Sequence, residues 1–221
     1  MSSFEVVKRR AVALVILAAG LAALVVGCGG SSSSSDPTST GSNAAASTAS
    51  YSGATANPPK PAPPLKLTNY NGKPVNIDQY KGKAVLVLFI YDHCPDICPL
   101  MVSNLHAAQN EMSPSERKQL QIIAVSVDPK GDTPQTVKKF LADHQMTGRM
   151  DYLIGSPSQL GQVWKNWNIT AKATPTKSSP DAVEHSALVY GISGTGDITT
   201  LYPSNFKPEQ IVHDVPKLAS S

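Results

Sequence analysis

The chain has 221 residues, 16% of them charged and 6% aromatic, with 18 prolines, three cysteines and a formal net charge of +3. Three cysteines are too few for a disulfide-stapled scaffold or a four-cysteine zinc module, and a charge of +3 is too weak to support nucleic-acid binding. With Lys8, Arg9, Arg10 and Glu5 set aside, 16 basic residues face 15 acidic ones, so most of the basic excess belongs to the first ten residues.

Lys8-Arg9-Arg10 precede an uncharged apolar run from Ala11 to Gly27. A basic stretch followed by an apolar one has the form of a secretory signal. The run is shorter than the ~20 residues a spanning helix needs. It ends Leu24-Val25-Val26-Gly27-Cys28, which resembles the lipobox of bacterial lipoproteins. That resemblance implies cleavage before Cys28 and diacylation of its sulfur. Each buried acyl CH₂ is worth ~0.8 kcal/mol, so two or three chains hold a domain on the extracytoplasmic face of the cell membrane. A short N-terminal membrane anchor with an incidental cysteine is the alternative for the same run. Residues 28–64 are then a lipid-anchored linker. Beyond Cys28 they are mostly Ser, Thr, Ala, Gly and Pro, with Asp36 and Lys60 the only charges. Such a stretch buries too little apolar surface to offset the entropy of ordering it, and Pro58 to Pro64 should be its stiffer end.

Residues 65–221 have the length of one domain with a single core. Leu65 to Thr68 and Val75 to Ile77 flank Asn71-Gly72, a hairpin signal. Ala84 to Ile90 is a continuous apolar run that fits a strand buried on both faces. Cys98 to Met112 has helical apolar spacing, and Leu120 to Val127 reads as a second buried strand. Thr133-Pro134 and Ser156-Pro157 each start a helix, with the hydroxyl as cap and proline at the first helical position. Met150 to Ile154 is a short strand between them. Ala187 to Ile192 and Ile198 to Leu201 flank Gly194-Thr195-Gly196 as a second hairpin, and Pro208 to Leu218 closes the chain as a helix. Strands alternating with helices predict an α/β domain with a mixed sheet. The order ββαβαβαββα resembles a thioredoxin-like fold with an extra N-terminal β-hairpin.

The chemistry concentrates in Tyr91-Asp92-His93-Cys94-Pro95-Asp96-Ile97-Cys98-Pro99, where the first buried strand meets the first helix. A spacing of four places Cys94 and Cys98 on one face once the helix has begun. The helix N-terminus lowers thiol pKa, and two thiolates make a soft pair suited to Cu(I). The same pair is close enough for a disulfide, since an i,i+4 Cα separation of ~6 Å lies in the allowed range. Spacing therefore permits metal binding and redox chemistry alike. His185, just before the strand at 187–192, is the candidate third ligand, because in a thioredoxin-like fold the loop before that strand comes over the active-site helix. His93, His106, His144 and His213 read by default as solvated loop or helix histidines.

These residues resemble the Sco/SenC family of copper chaperones for cytochrome c oxidase assembly. The family's Cys-Pro-x-x-Cys-Pro is Cys94-Pro95-Asp96-Ile97-Cys98-Pro99. Its Val-Ser-Val-Asp-Pro and Asp-Thr-Pro stretch is Val125 to Pro129 and Asp132 to Pro134, and its ligand histidine matches His185 in Glu184-His185-Ser186. The family often carries threonine two residues before the first cysteine; this chain has Asp92. The resemblance implies a metallochaperone binding copper, Cu(I) or Cu(II), through Cys94, Cys98 and His185. It also implies that Asp128 helps order the site loops, and that the partner is the oxidase subunit carrying the copper centre. A second reading is an extracytoplasmic thiol-disulfide oxidoreductase using Cys94 and Cys98 to reduce that client's cysteines. A peroxide-reducing enzyme is disfavoured, because Asp92 takes the place of a supporting threonine and no arginine is near.

Overall fold

The structure, a computed structural model, describes residues 50–173 and 183–221. Cys28, the apolar run before it and the Ser-rich part of the linker lie outside the described residues. Fifteen elements follow in chain order. They are β1 (Ala54–Pro61), β2 (Lys66–Asn69), β3 (Pro74–Asn76), β4 (Ala84–Ile90), α1 (Ile97–Glu111), α2 (Pro114–Gln119) and β5 (Leu120–Ser126). Then come α3 (Pro134–Asp143), β6 (Asp151–Ile154), α4 (Pro157–Asn166), β7 (Ala171–Ala173), β8 (Val183–His185), β9 (Leu188–Ile192), β10 (Asp197–Pro203) and α5 (Pro208–Ser220). A 3-10 turn, Ile77–Tyr80, joins β3 to β4.

The main sheet has eight strands in the order β1-β10-β9-β4-β5-β6-β2-β3. β4, β5 and β6 pair in parallel, and the other neighbours are antiparallel. The fold is therefore α/β with a mixed sheet, thioredoxin-like, and β2–β3 is the added hairpin. Gly72 takes the left-handed conformation, φ +85°, that its turn requires. All seven residues of β4 are buried, as an apolar run covered on both faces must be. Tyr190 packs its ring edge on Trp167 at the end of α4, with centroids 5.5 Å apart. A Cβ on the next residue, Gly191, would press on Leu218 of α5. Adjacent strand residues point to opposite faces, so α4 and α5 cover opposite sides of the sheet.

One boundary differs from expectation. Residues 54–61, assigned from composition to the linker, are an edge strand paired with β10, with Ala54 opposite Leu201 and Pro61 opposite Asp197. Proline is tolerated at an edge, where an N–H can face solvent, and the register breaks between Thr55 and Lys60. The start of this strand is fastened by Asp214, a fully buried carboxylate. Asp214 accepts hydrogen bonds from the Ser52 amide at 2.8 Å, the Gly53 amide at 3.1 Å and the Tyr202 hydroxyl at 2.8 Å. His213 adds a contact of 2.7 Å. A buried carboxylate is tolerated when its lone pairs are filled in this way.

Candidate metal centre

β4 delivers the chain at Ile90 into the loop that carries both sulfurs. Cys94 lies just before α1, and Cys98 is the second residue of that helix and is fully buried. Asp96 caps the helix, its carboxylate accepting from the Ile97 amide at 2.6 Å. The orphan amide of Cys98 donates to Cys94 Sγ at 3.3 Å, so the first sulfur acts as a second cap. Pro99 follows in the first turn, where its missing N–H costs nothing. Both cysteines are free thiols.

The two sulfurs are electrostatically unequal. The hydrogen bond from the Cys98 thiol pulls the Cys94 pKa down to about 6, against the opposing effect of burial; the Cys98 and Asp96 amides and the Tyr91 hydroxyl add to the lowering. Cys98 is pushed strongly up, first by the hydrogen bond it gives to Cys94, then by burial and by the charge on Cys94. Near neutral pH the pair is one thiolate and one thiol sharing a proton.

His185 ends β8, where it pairs with Ala171 of β7. Its Nδ1 lies 3.2 Å from the Ser186 carbonyl, which can only accept, so Nδ1 carries the proton. Nε2 then presents a lone pair 4.0 Å from Cys98 Sγ. Burial lowers the His185 pKa, which keeps the ring neutral and suited to a metal. Cys94, Cys98 and His185, expected together from the sequence, converge here. A polarizable thiolate, a thiol and a neutral imidazole form a donor set that fits copper.

Two residues that spacing could not single out support the site. The Tyr91 hydroxyl helps lower the Cys94 pKa, and its ring sits edge-on to His185, with centroids 6.0 Å apart. Burial raises its own pKa to about 12, so it remains a donor. Its place at the end of a buried strand, just before the cysteine loop, was the available signal. Asp132 accepts from the Asp92 amide at 2.9 Å and from the Tyr152 hydroxyl at 2.9 Å, tying the cysteine loop to the loop after β5. Asp128 acts within its own loop, accepting from the Lys130 amide at 3.1 Å. The other histidines sit apart from the sulfurs: His106 contacts Asn110, His144 packs on Phe140, and His213 contacts Asp214. His93 lies against the Asp92 carboxylate.

Among the described residues no helix is long and apolar enough to cross a membrane. The sequence model of the SCO1/SenC family matches residues 53–220. The mitochondrial protein SCO2 of Saccharomyces cerevisiae is 31% identical over 165 residues, which cover 70% of this chain and 54% of that protein. The chain spans about half the length of the first curated relatives it matches. Bradyrhizobium japonicum ScoI, solved with copper bound, superposes with a TM-score of 0.61 at 30% identity, covering 72% of this chain and 99% of that one. A SCO1/SenC family lipoprotein from Bacillus anthracis gives 0.61 at 27% identity, covering 73% and 98%. BsSco, described as a member of the Sco family of cytochrome c oxidase assembly proteins with a disulfide switch, gives 0.60 at 25% identity, covering 76% and 98%.

Proposed function

The chain belongs to the SCO1/SenC family, and from that premise we propose that it is a copper metallochaperone holding its cargo on Cys94, Cys98 and His185. Copper is the metal, as in the ScoI structure solved with copper bound. The observation that carries the reading is the neutral Nε2 of His185 aimed at Cys98 Sγ from 4.0 Å, beside a Cys94 thiol whose pKa lies near 6. The thiol pair supplies soft charge, the imidazole supplies a neutral donor, and the Ser186 carbonyl fixes which nitrogen faces the sulfurs. The Cys98 amide holds the Cys94 sulfur in place, and loading moves a proton off Cys98.

The destination is the copper centre of cytochrome c oxidase, in keeping with the family description of BsSco. The protein works at the extracytoplasmic face of the cell membrane, anchored by lipid on Cys28, as the lipobox resemblance and the Bacillus anthracis lipoprotein support. The test is a copper competition titration of the reduced full chain in detergent. His185→Ala is expected to weaken binding by about 10–100-fold, and equal affinity in the variant would overturn the three-ligand site.

The inequality of the two sulfurs favours one further reading, thiol-disulfide exchange with the client. Half-buried Cys94, as thiolate, attacks a client disulfide and releases one client thiolate. Cys98 then attacks the mixed disulfide, giving an oxidised Cys94–Cys98 pair and a reduced client. Rapid turnover of an oxidised client peptide by protein without copper affinity would make this the main activity.

A further inference from the structure

Beside the sulfurs lies a second group of donors of opposite character. Asp92, His93 and Asp132 each offer one ligand atom, and the three atoms lie within 4.8 Å of one another. The Asp92 side chain is 2% exposed, and neither of its carboxylate oxygens has a hydrogen-bond partner. His93 Nδ1 lies against one of those oxygens without hydrogen-bond geometry. Asp132 is oriented by the Asp92 amide and the Tyr152 hydroxyl, two bonds that leave it lone pairs to spare. Two buried carboxyl groups lie this close with only the His93 ring beside one of them, an arrangement that a shared cation would stabilise.

The group is reachable. Asp92 and His93 line a surface cavity of about 300 Å³ whose other walls include Pro99, Thr136 and His144. The His93 side chain is half-exposed at its mouth. Lys139, the cation on that wall, is paired with Asp143 at 2.5 Å and does not neutralise Asp92. Gly131 lies beside the group: a Cβ there would overlap the Asp128 carboxylate and come into ordinary contact with His93 Nδ1 at 3.6 Å.

We propose that Asp92, His93 and Asp132 form a binding site for a first-row divalent cation of the Mn(II)-to-Zn(II) class, separate from the thiol site. Two carboxylates and an imidazole are hard-to-borderline donors, which suit such ions and not Cu(I). The remaining coordination positions open to the cavity and take water. Asp92 is the residue that makes the site: without its carboxylate, His93 and Asp132 are one donor short. The cation would also lock the cysteine loop to the loop after β5, adding an ionic link to the bond between the Asp92 amide and Asp132.

The test uses the full chain in detergent with Cys94→Ser and Cys98→Ser, so that thiolates cannot capture the probe. Zn(II) is titrated by calorimetry and Mn(II) by its electron paramagnetic resonance signal. One equivalent of each is expected, with a rise in Tm on adding Zn(II). Asp92→Thr in the same background should weaken Zn(II) binding by about tenfold or more and abolish the Tm rise. His93→Ala, at a half-exposed position where folding is not at risk, should weaken it as well. Circular dichroism of the apo variants verifies their fold. Absence of stoichiometric binding in the Cys→Ser protein, or unchanged affinity in folded Asp92→Thr, overturns the site and leaves an Asp92–His93 ion pair only. Cu(I) loading of the parent thiols is independent of either outcome, so failure here and failure of the copper reading are told apart.

Discussion

His185 Nε2 faces Cys98 Sγ across 4.0 Å, and the ring is held from behind by the bond from Nδ1 to the Ser186 carbonyl. The imidazole is thus set before any metal arrives. Because burial lowers the His185 pKa, the thiols and not the ring govern how acid weakens copper binding. Protons compete for Cys94 as pH falls through about 6. Copper affinity should therefore fall steadily as pH drops from 8 to 7, because loading takes a proton from Cys98, fall more steeply below pH 6, where Cys94 is protonated as well, and do the same for His185→Ala. Competition titrations at several pH values measure it.

The low Cys94 pKa predicts its alkylation profile. Iodoacetamide should modify Cys94 with a midpoint near pH 6, with buried Cys98 reacting far more slowly. Cys98→Ala removes the largest cause of the lowering and should move the midpoint upward. Tyr91→Phe removes a smaller contribution and should move it less, in the same direction, with the ring packing on His185 retained. Mass spectrometry of alkylated peptides against pH reads all three.

Asp132 gives stability a pH dependence of known sign. Burial raises its pKa from 3.8 to about 8. The folded chain therefore keeps a proton that the unfolded chain loses above its ordinary pKa. The contribution is complete at low pH, declines between about 4 and 8, and is gone above the folded value. Asp132→Asn should flatten this limb in metal-free denaturant titrations, while its side-chain oxygen can still accept from the Asp92 amide. A variant with the parent slope would exclude Asp132 as the source.

Gly191→Ala tests the packing of α5 on the sheet. The new Cβ would overlap Thr200 Cγ2 and approach Leu218 Cδ1 and Tyr202 Cε2 at 3.3 Å. Overpacking of this kind costs ~1–3 kcal/mol, a loss of several degrees in Tm by the usual scaling for domains this size. Copper affinity should not change, because Gly191 pairs with Leu86 in β4, well before the cysteine loop.

Legibility in the sequence followed how local each cause was. β4 could be read because seven consecutive apolar residues have no alternative to burial. α3 and α4 could be read from Thr133-Pro134 and Ser156-Pro157, whose capping is complete within four residues. α2 escaped notice because its proline and five polar residues make no apolar face, although Ser113 and Glu116 form a capping box. β1 escaped because its prolines suit an edge strand as well as a linker, and the choice is made by β10, far away in sequence. At the site, Cys94 and Cys98 were legible from their spacing, and His185 from its place before a strand. Tyr91 and Asp132 were not, because each acts through contacts with distant segments: Tyr91 with His185, and Asp132 with Asp92 and Tyr152. The missing threonine at Asp92 was visible as a departure, but only the fold places that carboxylate opposite Asp132.

The Asp214 fastening has a mechanical consequence. Tension arriving through the chain before residue 50 meets Ser52 and Gly53, and passes from their amides into α5 through Asp214. What is not taken there loads the pairing of β1 with β10 at the sheet's edge. Within the sheet β9 stands between β10 and β4, so load entering at the edge reaches the strand before the cysteine loop only through β9; the share taken by α5 falls on α1 and β4, against which that helix packs.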